Sequence, residues 1–518
     1  MKRRTMLTAS TGIAAAAAWT AVGDGATGSA ASRTGAARSG APTPADWTAL
    51  GRGLQGGLVR PGDADYATAR QLYNTRFDGQ RPAAVAYIAN GTDIAECLAF
   101  ARRHGTPVAI RNGGHSYTGW SSGTGRLVVD VSALKSVRTV PGGAVIGAGA
   151  KLIDVYGGLG AHGVTVPGGS CPTVGISGLT LGGGHGVVSR AYGLTCDSLT
   201  GARVVTADGR TLDVSKDREA ELFWALRGAG GGNFGVVTEL RFRTHKAADG
   251  VTAYLTWPWS KAAAVLRSWQ EWGPSQPDEI WSALHLSAAP GRTPTVSVAC
   301  FSLGTYGALQ NAVDRLADRA GGPGPASSVS LRRRGYLDTM RMYAGCATKT
   351  TDQCHLPGKT PGRRPNGTLQ RETYAARSDF FDRSLTAEGI RTLLGEVERY
   401  GRRPAGSGGA VSVAFTALGG AVNRVSPQAT AFVHRRSRVL AQYTASWPAA
   451  QTGGPQAAWL AGAHTAMRRH ASGAAYQNYA DASLKDWRSA YYGPHAARLA
   501  QLKKRYDPTR LFDFPQAL

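Results

Sequence analysis

Acidic residues are scarce in this chain: 34 Asp and Glu stand against 59 Lys and Arg, leaving a formal net charge of +25. Cysteine is scarcer, with six (97, 171, 196, 300, 346 and 354) in 518 residues and no C-x-x-C pair. H-E-x-x-H is missing as well, so no spacing argues for a bound metal. No run beyond the N-terminal segment reaches the roughly 18 apolar residues of a membrane helix, and no stable membrane insertion is expected. Long basic runs are also missing. The longest clusters are Arg332-Arg333-Arg334 and His434-Arg435-Arg436, and no basic helix or zinc-finger spacing accompanies them. Nucleic acid is therefore not an expected partner. The charge reads as an Arg-rich surface able to steer anions or to meet an acidic cell envelope.

Glycine is plentiful, with 69 residues, in short loops between apolar runs and without a fixed period. Collagen-like and low-complexity readings fail on that ground. The length allows two domains, each with its own core. At the N-terminus Met1-Lys2-Arg3-Arg4 precedes an Ala-rich run (Ile13–Val22) and small residues near Ser29-Ala30-Ala31-Ser32. This has the regions of a secretory signal, and the paired arginines resemble a twin-arginine signal, which exports folded proteins. Residues 1–43 are expected to be signal and disordered linker, and the mature protein to be secreted by the export machinery. Cys346 and Cys354, eight apart in a loop-like stretch, could then form a disulfide.

Two glycine-rich stretches carry the chemistry. Arg111-Asn112-Gly113-Gly114-His115-Ser116-Tyr117 follows an apolar strand at Pro107–Ile110. Adjacent glycines let backbone approach a ligand, and successive N–H groups suit phosphate; the same stretch also reads as a glycine turn with a hydrogen-bonded histidine. Downstream, Gly168-Gly169-Ser170-Cys171-Pro172-Thr173-Val174-Gly175-Ile176-Ser177-Gly178 leads into Gly182-Gly183-Gly184-His185. A lone cysteine there could equally be a buried small hydrophobe. Together the two stretches resemble the berberine bridge enzyme-like branch of the FAD-linked oxidases. The resemblance implies FAD bound covalently at two points, by the 8α-methyl to His115 and by C6 to Cys171.

It also implies a two-domain α+β fold of the PCMH/vanillyl-alcohol-oxidase type. The FAD-binding domain would cover 70–248, a substrate domain 249–455, and a C-terminal segment 456–518 would return to the FAD domain. The residue pattern agrees. A strand at Ala83–Ile88, a helix capped at Asn90 with Ile94, Cys97, Leu98 and Ala101 on one face, and the Pro107–Ile110 strand give α/β logic that ends in the histidine loop. Gly147-Ala148-Gly149 is not a dinucleotide fingerprint, because position 152 is Leu. Asp197–Thr206 and Thr211–Val214 read as a hairpin. Past Gly250, strands at Val251–Pro258, Ile280–Ser287, Thr295–Phe301, Ala410–Ala417, Thr430–His434 and Val439–Trp447 alternate with helices at about 260–272, 306–319 and 386–400. This predicts an antiparallel sheet covered on one face by helices.

By the same resemblance Arg227–Val237, with Asn233, Gly235, Val236 and Val237, approaches the pyrophosphate and adenosine end. Val174 lies beside flavin C4a, where a small side chain leaves room for O2. Tyr476 and Tyr479, flanking Asn478, are the candidate bases, and Gln442 is a further site residue on its strand. His185 reads as structural. No glutamate can be placed on the Gln442 strand, although berberine bridge enzyme itself uses a glutamate as base. The expected activity is oxidation of an alcohol carbon on a bulky, sugar-containing or other secondary metabolite, with O2 reduced to H2O2. A dehydrogenase with another acceptor, and a cationic envelope-binding protein on the same fold, are the alternatives.

Overall fold

The helix Gly91–His104 shows how local sequence seats the first site loop. The Asn90 side chain accepts from Asp93 N at 3.0 Å and caps the helix start. Gly105, at φ +62, ends it in the left-handed region that glycine adopts without penalty. Ile94, Cys97, Leu98 and Ala101 are all buried on its inner face. The carboxylate of Asp93 accepts from the backbone N–H groups of Gln55, Gly56 and Ala89, which fixes the preceding chain. The structure is a computed structural model that describes residues 40–518; the expected signal segment, with Arg3-Arg4 and Ile13–Val22, lies outside the described residues.

Strands β1 (Gly57–Val59), β2 (Ala84–Tyr87), β3 (Val108–Arg111) and β4 (Leu127–Asp130) form a sheet in the order β1-β2-β4-β3. β2 and β3 both run parallel to β4, so the helix between them is the crossover and β3 delivers Asn112–His115 at its C-terminal end. Next come β5 (Val137–Val140), β6 (Gly143–Gly147), β7 (Val164–Thr165), β8 (Leu199–Val205), β9 (Thr211–Ser215), β10 (Val236–Arg243) and β11 (His245–Lys246). Five of these form a second sheet, β5-β6-β10-β8-β9, all antiparallel, while β7 pairs with β11. The β8–β9 hairpin is as expected.

The remaining strands are β12 (Gly250–Trp257), β13 (Ile280–Ala288), β14 (Thr295–Ser302), β15 (Ser328–Arg334), β16 (Tyr374–Phe381), β17 (Ala410–Ala417) and β18 (Val439–Ser446). They make one antiparallel sheet in the order β15-β12-β14-β13-β17-β18-β16. Helices Ala262–Trp272, Tyr306–Ala317, Ala387–Gly401 and Gly454–Arg468 share its hydrophobic core through Trp269, Leu309, Leu393 and Ala463. They cover one face and leave the other open. The α+β architecture is thus present. One expected strand is absent: Thr430–His434 is an extended strap whose Ala431 and Phe432 N–H groups donate to Trp224 and Arg227 carbonyls, not to a strand.

The chain then returns. Ala475, Tyr491, Leu499 and Phe512 are buried in the same core as β2, β4 and β6. Lys503 Nζ donates to the carbonyls of Asn233 and Phe512 at 2.8 and 2.7 Å, and Leu518 N donates to Asn233 Oδ1. The tail therefore fixes the turn that holds Gly230–Gly232. That first core starts at Trp47, ahead of residue 70. Arg190, 1 % exposed, ties the two halves together by donating to the carbonyls of Ile280, Pro274, Leu418 and Gln276. Cys346 and Cys354 form a disulfide. Among the described residues no helix is long and apolar enough to cross a membrane.

Candidate active site

One cavity of about 1720 Å³ runs between the β3 loop, the Cys171 loop, the Gly230–Gly232 turn and the open face of the seven-stranded sheet. His115 and Cys171 both line it. The His115 ring stacks on Tyr73, with centroids 4.0 Å apart, and its Nε2 lies 2.8 Å from Thr173 Oγ1. Nδ1 has no hydrogen-bond partner among the described residues. Desolvation, with the Lys151 charge behind it, lowers the His115 pKa to about 3, so the ring is neutral and nucleophilic at physiological pH. Cys171 is exposed on the cavity wall. Desolvation and the Glu372 carboxylate push its thiol up to about 11.

The glycines divide into two sets. A Cβ at Gly178 would meet nothing within 4 Å, and at Gly230, Gly231 and Gly232 the nearest atoms lie at 3.9, 3.9 and 3.7 Å. All four line the cavity, so the backbone there is bare toward it. A methyl group at any of them would project into the cavity, which fits a flat ring or a phosphate chain approaching the main chain. Gly113 and Gly175 have the opposite reason. A Cβ at Gly113 would sit 2.6 Å from Gly175 N, and one at Gly175 only 2.1 Å from Asn112 Nδ2. These two let the loops pack on each other. Asn112 then bridges them, accepting from Lys151 Nζ at 2.7 Å and donating to Ser177 Oγ at 3.1 Å.

A tyrosine cluster lies across the cavity. Tyr479 stacks on Tyr117 with centroids 5.2 Å apart, and the Tyr479 hydroxyl is 2.8 Å from His185 Nε2. Gln442 Nε2 donates to the Tyr117 hydroxyl at 2.7 Å. Burial pushes both phenols well above their usual range and lowers His185 to about 4. Tyr476 is different: it is 2 % exposed, and its hydroxyl accepts from Gly184 N and Asn478 Nδ2 at 2.8 and 2.9 Å.

The structure brings most of the expected site residues to this cavity. Arg111, Asn112, Gly113, Gly114, Ser116, Val174, Gly175 and Gly178 line it, as do Asn233, Gly235, Val237, Asn478, Gln442, Tyr476 and Tyr479. Gly182, Gly183, Gly184 and Val236 do not. Gly182 is pressed against the Asn478 side chain, Gly184 bonds the Tyr476 hydroxyl, and Val236 is buried in the sheet paired to Val205. His185, read as structural, faces the cavity and holds Tyr479. Sequence reasoning also missed Tyr73, Tyr117, Thr173 and Glu372. Tyr117 and Thr173 stand two residues past His115 and Cys171, a spacing that could have flagged them. Glu372 precedes the Gln442-paired strand β16 and is reached only through tertiary structure.

Residues 82–215 match the FAD binding domain family, and residues 475–518 match the berberine and berberine-like family. Over 471 residues the chain is 30% identical to the uncharacterized FAD-linked oxidoreductase YgaK of Bacillus subtilis, covering 90% of this chain and 97% of that protein. This chain belongs to the berberine bridge enzyme-like FAD-linked oxidoreductases. Chitooligosaccharide oxidase of Gibberella zeae is 30% identical over 468 residues, 86% of this chain and 89% of the relative. Among solved structures, Physcomitrella patens BBE-like 1 superposes with a TM-score of 0.81 at 28% identity, over 91% of this chain and 98% of that one. The oxidoreductase therefore has an FAD-binding domain over residues 82–215.

Proposed function

We propose that this oxidoreductase is an exported oxidase that carries FAD on both His115 and Cys171 and dehydrogenates an alcohol carbon of a sugar-containing substrate. The observation that carries this reading is the convergence of two nucleophiles, His115 and Cys171, with the Tyr479–His185 pair in one cavity. Similarity to a chitooligosaccharide oxidase and the open sheet face support a bulky substrate. The leader sequence and the Cys346–Cys354 disulfide support an oxidising destination outside the cytoplasm.

Bound FAD supplies the two-electron acceptor, and O2 later takes the electron pair with two protons as H2O2. The chain's own task is to orient the alcohol and to remove its hydroxyl proton. Tyr479 receives that proton as its own moves to neutral His185 Nε2, 2.8 Å away. Gln442 holds Tyr117, and Tyr117 holds the Tyr479 ring by stacking. Tyr476 holds Gly184 and Asn478 through its hydroxyl oxygen, and burial keeps its phenol protonated, so it positions. Thr173 orients His115, leaving Nδ1 toward the cavity. Val174, small and on the same wall, leaves O2 a route.

The test is the mass of acid-denatured protein for wild type, His115→Ala and Cys171→Ala, beside H2O2 release from an oligosaccharide panel. FAD mass retained by wild type and by each single variant, and lost from the double variant, is the expected result. Flavin that washes out of wild type sinks the two-point attachment. Flavin that stays but is never reduced by any sugar sinks the oxidase reading.

A further inference from the structure

The cavity extends well past the tyrosine cluster. Its floor there is the open face of the seven-stranded sheet, where, next to Gln442 on β18, the paired row Thr416, Ala283, Ala299, Tyr254 and Ser330 lines it. Most of these side chains are small, so the floor is a shallow trough. Five strand spacings of about 4.8 Å carry it roughly 24 Å from β18 to β15. That length suits an oligomer more than a single sugar.

At the far end the lining changes. Tyr254 on β12 is 52 % exposed, unusual for a tyrosine in a sheet interior, and pairs with Ser330 on β15. Thr252 pairs with Arg332, and Gly250 with Arg334. Alternate strand residues share a face, and Thr252, Tyr254, Ser330 and Arg334 all line the cavity. Arg332, between Ser330 and Arg334, therefore stands on that face too. Other arginines beside or behind the cavity are ion-paired, Arg111 with Asp130 and Arg435 with Asp197. Among the described residues neither Arg332 nor Arg334 has such a partner, although carboxylate oxygens of Asp249 and Asp338 both lie 3.8 Å from where a Cβ at Gly335 would sit. Arg334 Nε is buried without any hydrogen-bond partner. A buried guanidinium donor left open beside an exposed aromatic face calls for an anion attached to a ring.

We propose that this end of the cavity is a subsite for an acidic sugar unit. The ring lies on Tyr254 and its carboxylate sits between Arg332 and Arg334, while the reacting end of the oligomer reaches Tyr479. This rests on the oxidase reading for the reacting end, but the binding itself does not need turnover. The excess positive charge of the chain would speed arrival of such a substrate.

Titration calorimetry on the flavin-loaded protein tests it, with pentagalacturonate and cellopentaose as probes. Wild type is expected to bind the acid at least tenfold more tightly than the neutral pentamer, and Arg332→Gln/Arg334→Gln to lose that preference. In wild type the preference should shrink as NaCl rises from 50 to 500 mM, a readout that needs no variant. No binding of the acid, no preference, or a preference kept by the double variant would overturn the proposal. H2O2 release from the same wild-type sample reports separately on the oxidase reading, because arginine-dependent binding without peroxide would sink that reading alone.

Discussion

Tyr476 and Tyr479 lie three residues apart, yet their hydroxyls have different fates. Among the described residues that of Tyr479 meets only His185, whereas that of Tyr476 is the acceptor for two buried donors. Tyr479→Phe should slow flavin reduction by a factor on the order of 10²–10⁴, the usual worth of a positioned base, with flavin content unchanged. Tyr476→Phe should instead cost about 1–3 kcal/mol of stability, because Gly184 N and Asn478 Nδ2 lose their acceptor. Rapid-mixing reduction rates and urea midpoints on both variants distinguish the two. Equal rate losses in both would remove the assignment of Tyr479 as base. Sequence alone placed both tyrosines at the site but could not divide their roles, since a three-residue separation says nothing about which hydroxyl a distant glycine loop will claim.

Elements that carry their own start and stop signals were legible from the chain alone. Asn90 and Gly105 bracket a helix whose apolar spacing is regular, and Ala207-Asp208-Gly209-Arg210 marks the β8–β9 turn. β15 was not legible: as an edge strand it is largely exposed, and Arg332-Arg333-Arg334 reads as a surface cluster. β16 was missed because it buries Ser378 and Asp379, with Arg468 and His464 from the Gly454–Arg468 helix beside the carboxylate. Thr430–His434 has strand-like composition, but its N–H groups are taken by Trp224 and Arg227. The glycine loops show the same limit, because composition cannot tell a glycine that faces ligand from one that faces protein. Gly178 belongs to the first kind, within the helix Ile176–Leu181. Gly178→Ala should leave the flavin-free protein as stable, or up to about 1 kcal/mol more so, since alanine favours helix, while flavin content falls. Gly175→Ala should lower both, because its Cβ would collide with Asn112. Absorbance ratios at 450 and 280 nm with urea melts read both quantities, and full flavin content in Gly178→Ala would argue against this wall as the cofactor site.

Across the whole molecule, acid stability depends on histidines that the fold holds neutral. His434 is 6 % exposed on the strap that joins the C-terminal segment to the sheet, stacked on Phe380 and 3.0 Å from the Tyr491 carbonyl. Desolvation lowers its pKa to about 3, against about 6.5 in an unfolded chain. Above pH 6.5 neither state binds the proton, and the stability is fully present. As pH falls below 6.5 the unfolded chain takes up a proton that the folded chain refuses. Stability then drops by about 1.4 kcal/mol per pH unit for each such group, until the folded ring titrates near pH 3. His115, lowered to about 3, and His185 and His245, lowered to about 4, add three more such groups. Stability read from urea melts of the flavin-free protein should therefore fall below pH 6.5 with a slope approaching four protons. His434→Gln keeps a donor for the Tyr491 carbonyl and removes the titration, so the slope should shrink by about one proton even if the plateau above pH 6.5 is lower. An unchanged slope in that variant would mean that the strap opens before the strands it joins, and that His434 is already in water when the rest unfolds.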